Sequence, residues 1–67
     1  MQEPLENLSQ NAQRVHAYLL EDPERTSELE EIAERVGLTQ GETADALRGL
    51  EAATRAAESF GGWAVVL

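Results

Sequence analysis

The sequence predicts a small, mainly α-helical α+β domain: three helices followed by a β-hairpin. Three observations lead there. Apolar residues recur at helical spacing in three separate stretches. Two of those stretches open on a Ser/Thr-x-x-Glu signature, the pattern of a helix start. The last residues change to aromatic and β-branched side chains around a Gly-Gly pair, the pattern of a hairpin.

The first helix is predicted from about Pro4 to Glu21. Leu5, Leu8, Ala12, Val15 and Leu19 fall on one stripe, with Leu20 beside it. Pro4 suits a first helical position, where its missing N–H has no partner to lose. A later start capped by Asn7, with Gln10 reaching back, is the alternative; residues 1–7 are then a flexible arm rather than a helix extension. Pro23 ends the helix, because a residue before proline avoids the α region. Glu24-Arg25-Thr26 is a short connector with room for a stub of strand.

The second helix is predicted to start at Ser27, in a capping box with Glu30. Leu29, Ile32, Ala33 and Val36 then follow on one face. Gly37 stops it, since a left-handed cap costs glycine least. Leu38 is the one apolar residue of the turn. Thr39 and Glu42 form a second capping box, opening a third helix from about Gln40 to Ala53 with Ala44, Leu47 and Leu50 facing inward. Gly41 and Gly49 weaken this helix by roughly 1 kcal/mol each relative to alanine. Residues 54–67 are read as the hairpin, turning at Gly61-Gly62. Trp63, Val65 and Leu67 lie on one face, Ala64 and Val66 on the other. A strand apolar on both faces often meets a second surface.

The chain of 67 residues is one domain, 1–67, with a marginal core. It has no cysteine to staple it, and with one histidine no zinc site is expected. No cofactor is expected either. Tidy helix packing or self-association must supply the stability. The net charge is −8, from thirteen acids and five bases, and every base is arginine. The acids are spread along the chain, as solvated helix faces are, and their mean field repels phosphate. Met1-Gln2-Glu3-Pro4 has no basic, apolar leader, and no stretch is long enough to span a membrane, so the expected place is the cytoplasm.

The stretch from Ser27 to Leu50 resembles the winged helix-turn-helix of MarR- and ArsR-type transcriptional regulators. The matching positions are Leu29, Ile32, Ala33, Val36, Gly37, Leu38, Leu47 and Leu50, and the likeness extends over residues 10 to 67. It implies a three-helix winged helix-turn-helix whose third helix enters the major groove while the hairpin wing, residues 54–67, touches the adjacent backbone. It is specific for the fold and poor at separating families, since similar modules also bind only proteins. Two positions depart from the pattern: Thr54 replaces the glycine after helix 3, and Thr43 replaces a β-branched aliphatic residue.

Carried over by position, the DNA-binding residues are Thr39, Gln40, Thr43, Arg48 and Arg55. Gln suits adenine, and Arg suits guanine or a phosphate. Glu42 and Asp45 share that face and oppose it. The bland alternative is that Arg48 pairs with Asp45 or Glu51, and Arg55 with Glu51, as ordinary helix-surface ion pairs. Leu5, Leu8, Trp63 and Val66 are the interface candidates: the long first stripe invites a partner helix and hence a homodimer, and Trp63 is either a core anchor under the wing or an interface hot spot.

Catalysis finds no support. His16 flanks the first stripe as a structural residue; Ser9 and Ser27 read as helix-start residues rather than nucleophiles. The pairs Glu30/Glu34 and Glu28/Glu31 sit on a solvated face. Two function classes stay open: a DNA-binding regulator, and an acidic protein-interaction module. A positive stripe from Arg48 and Arg55 favours the first, and a continuous acidic third-helix face the second.

Overall fold

A computed structural model describes residues 9–67. Three helices, α1 (Gln10–Leu20), α2 (Leu29–Val36) and α3 (Gln40–Ala52), are followed by strands β1 (Ala56–Ser59) and β2 (Gly62–Val65). The strands form an antiparallel hairpin. The architecture is the expected mainly helical α+β, with a winged helix-like layout. Leu5, Leu8, Pro4 and Asn7, and with them the question of an N-terminal arm, lie outside the described residues.

Ser9 caps α1: its backbone is extended and its hydroxyl accepts the N–H of Ala12 at 3.1 Å. Such a cap satisfies one of the unpartnered amides of the first turn, for about 1 kcal/mol. Ala12, Val15 and Leu19 are buried along one stripe, as the spacing requires.

The Ser27–Glu30 capping box does not form. Ser27 is instead buried in an isolated β-bridge to Trp63, with N–H···O distances of 2.8 and 2.7 Å in the two directions. That pairing keeps the chain extended through Glu28, so Glu28 takes the cap position with no side-chain bond. A long-range pair of backbone hydrogen bonds has displaced a local side-chain one. The strand stub expected in the connector thus exists, one residue later than Thr26.

Gly37 ends α2 in the left-handed conformation, φ 75°, and the N–H groups of Gly37 and Leu38 both donate to the carbonyl of Ala33. Arg14 reaches across from α1 and donates to the carbonyl of Val36, another of the free acceptors at that helix end. α3 opens on the expected capping box: Thr39 and Glu42 exchange side-chain-to-backbone hydrogen bonds, each 3.0 Å.

Leu47 and Leu50 are buried on α3 as predicted, and Thr43 and Ala46 join them in place of the predicted Ala44. Ala44 is half-buried. These side chains meet Ala12, Val15 and Leu19 of α1, Ile32 of α2, and Ala56 and Val65 of the hairpin in one core. Tyr18, Leu29, Val36, Leu38 and Trp63 pack around it. Truncating a fully buried leucine such as Leu47 would cost about 2–5 kcal/mol, a large part of the stability of so small a domain.

The hairpin turns one residue earlier than expected. Ser59 faces Gly62, so Phe60 and Gly61 make a two-residue loop, with φ 52° and 78°. Paired positive φ values are the mark of a type I′ turn, whose twist matches the strands. Gly62 is needed for a different reason: a Cβ there would lie 3.1 Å from the Thr26 Cβ and 3.4 Å from the Ser27 carbonyl oxygen. Its missing side chain lets the connector close on β2.

Candidate functional site

The outer face of α3 is where the sequence places function. Thr39 is exposed, but its hydroxyl and backbone are engaged in the capping box, and its carbonyl accepts from both the N–H and the hydroxyl of Thr43. Gln40 is exposed at the first helical position. Thr43 cannot take the role expected of it. It is fully buried, and its hydroxyl donates to Thr39 at 2.8 Å. With its one polar group satisfied inside its own helix turn, it packs as a core side chain and offers no surface to a ligand.

Beyond Gln40, the exposed positions of α3 are Gly41, Glu42, Asp45, Arg48, Glu51 and Ala52, with acids outnumbering the one base. Glu42 and Asp45 edge a hollow shared with Ser9 and Asn11 near the start of α1. Arg48 lies on another side, in a groove between the start of α2, α3 and the hairpin. That groove is lined by Leu29, Ala44, Leu47 and Trp63, with Arg48, Glu51, Glu58 and Gly61. Arg55 is half-buried after α3 and close enough to α1 for its charge to act on His16. Arg48 and Arg55 therefore do not line one groove together.

The expected helix-surface ion pairs do not form either. Among the described residues the one ion pair joins Arg25 and Glu31. The His16 pKa is lowered, first by burial, which disfavours the charged ring, and then by the positive charge of Arg55.

Trp63 is half-buried. It packs against the core, bridges to Ser27 through its backbone, and shows its remaining surface in the groove. Val66 is exposed, with its N–H donated to the Arg55 carbonyl at 2.9 Å, and Leu67 is exposed beside it in sequence.

Two features went unread in the sequence. The groove draws on three elements, so no local pattern announces it. Phe60, fully exposed at the hairpin tip, was hidden by the Gly-Gly pair that seemed to supply the turn. The signal available was the spacing: a Phe-Gly pair between two alternating runs also fits a two-residue loop.

Among the described residues no cluster of His, Asp and Glu could hold a metal ion, and no helix is long and apolar enough to cross a membrane. No protein-family model matches the chain, and no curated protein or solved structure matches it either.

Proposed function

We propose that this chain is a protein-docking module on a winged helix-turn-helix scaffold, and that the groove between α2, α3 and the hairpin receives the partner. One observation carries the reading. The groove brings the half-buried Leu29, Ala44 and Trp63 together with Glu51 and Glu58, while its single cation, Arg48, is not joined by Arg55. Phosphate contacts provide most of the affinity of DNA-binding surfaces. A groove with Glu51 and Glu58 against Arg48, on a helix that also exposes Glu42 and Asp45, in a chain of net charge −8, suits the opposite kind of ligand.

A second reading, a DNA-binding regulator of the MarR or ArsR kind, rests on the exposure of Gln40 and Arg48 on the outer face of α3. In that reading Gln40 and Arg48 reach base edges, Thr39 and Arg55 hold phosphates, and Thr43 takes no part.

The test is a titration of the isotopically labelled chain, followed by amide chemical shifts. One arm uses random-sequence duplex DNA at low and high salt, the other a cationic amphipathic helical peptide of leucine and lysine. The docking reading expects the peptide to shift the amides of Leu29, Arg48, Glu51 and Trp63, and the duplex to leave them unmoved. Shifts of the α3 amides by duplex at low salt, fading steeply as salt rises, would establish the second reading and overturn the first.

A further inference from the structure

We infer that Phe60 is the anchor by which the hairpin tip grips a partner protein, packing against the apolar side of a basic amphipathic helix. The inference rests on the docking reading above and assigns it a residue and a partner chemistry.

Phe60 is placed against local stability in two ways. Its backbone φ is 52°, in the left-handed region where bulky side chains are outliers. The first loop position of a type I′ turn favours Asn, Asp or Gly, residues that meet that φ with least strain. Its ring is also fully exposed and takes no part in the core. Gly61, with φ 78°, completes the turn and lines the groove. The tip residue thus adjoins Gly61 of the groove lining, strains the turn and adds nothing to the core. A strained, exposed aromatic beside a groove that holds a half-buried tryptophan has the character of an interface hot spot.

The charge around it selects the occupant. Glu58 and Glu51 edge the groove, Glu58 sits two residues from Phe60, and the chain carries a net charge of −8. Like charge disfavours a second copy of this chain, an anionic membrane and nucleic acid alike. The complementary surface is a basic amphipathic helix of another protein, its apolar side meeting Phe60 and Trp63 and its lysines or arginines meeting Glu51 and Glu58.

Phe60→Asn separates the two roles of the position. Asn-Gly is the preferred type I′ pair, so this variant relieves the turn while deleting the ring. The leucine–lysine helical peptide is titrated against wild type, Phe60→Asn and Phe60→Tyr by calorimetry, with thermal unfolding measured on each. The expected result is a dissociation constant raised at least about tenfold in Phe60→Asn, near wild type in Phe60→Tyr, with the melting temperature of Phe60→Asn equal to or above wild type. If the peptide shifts the groove amides and Phe60→Asn binds it equally well, the anchor role is overturned and the docking reading stands. If wild type does not bind the peptide, both fall. If duplex DNA or anionic vesicles, rather than the peptide, shift the Phe60 and Gly61 amides, the partner chemistry is overturned.

Discussion

Thr54 sits where α3 must stop, and replacing it with glycine should make the domain more stable. Its φ is 56°, and the chain reverses there through hydrogen bonds from Thr54 N–H to Glu51 and from Arg55 N–H to Leu50, at 3.0 and 2.7 Å. A β-branched residue in this conformation brings its Cβ against the following carbonyl, at a cost of roughly 1–2 kcal/mol. Glycine removes that cost but gives the unfolded chain more freedom, which offsets about 0.4–1 kcal/mol. The Thr54 side chain is exposed, so no core packing is lost, and its hydroxyl only donates to the neighbouring Ala53 carbonyl. The net gain for Thr54→Gly is then centred on about 0.8 kcal/mol, or roughly 3–6 °C in melting temperature for a domain of this size. Far-UV circular dichroism on heating, with a urea titration beside it, measures both. Ala53→Gly is the internal control: Ala53 has φ −88°, which alanine adopts freely. The same change one residue earlier should therefore destabilise, by about 0.5–1 kcal/mol. A Thr54→Gly melting temperature at or below wild type, or a rise in both variants, would refute the strain argument.

Three further outcomes are expected. Gly62→Ala should cost about 1–3 kcal/mol, because the new methyl crowds Thr26 and Ser27, and it should speed hydrogen exchange at the Ser27 and Trp63 amides most of all. Thr39→Ala should cost about 0.5–2 kcal/mol and raise exchange in the first turn of α3, by removing half of the capping box. His16 should make stability depend on pH. Its folded pKa is below the ordinary value of 6.5, so the unfolded chain binds the proton more readily. Stability from this group is therefore full above the unfolded pKa and is lost as pH falls from there toward the folded pKa. Urea midpoints measured from about pH 7.5 down to about pH 5.5, above the carboxylate range, should fall in wild type and stay flatter in His16→Gln.

The parts of this domain read correctly from sequence are those fixed by neighbours in the chain. The Thr39–Glu42 box, the Gly37 stop and the stripe of Ala12, Val15 and Leu19 each depend on residues within a few positions of one another. The misreadings have two different causes. Ser27 carries a valid cap signature, yet Trp63, distant in sequence, claims its backbone. Thr43, rather than Ala44, completes the inner face of α3 although it carries a polar group. Its hydroxyl is satisfied by Thr39, which leaves the rest of the side chain free to pack as an apolar one.

The candidate site was legible only in part. Arg48, Gln40 and Trp63 were named from position, and Arg48 and Trp63 line one groove. Thr43 is withdrawn into the core, and Phe60 stands at the tip in its place among the residues with free surface. Arg48 and Arg55, seven residues apart, would share a face if α3 ran on. The left-handed turn at Thr54 separates them.

The sequence by itself determined that there are three helices and a hairpin, where α2 stops and α3 is capped, and that the chain is strongly acidic. These are matters of local hydrogen bonding, apolar period and composition. Tertiary structure alone decided that Ser27 pairs with Trp63, that a side chain at Gly62 would crowd the connector, and that the arginines form no common stripe. Those depend on how α1, the Ser27 bridge and the hairpin close on one another, and contacts between residues far apart in the chain leave no periodic trace in it.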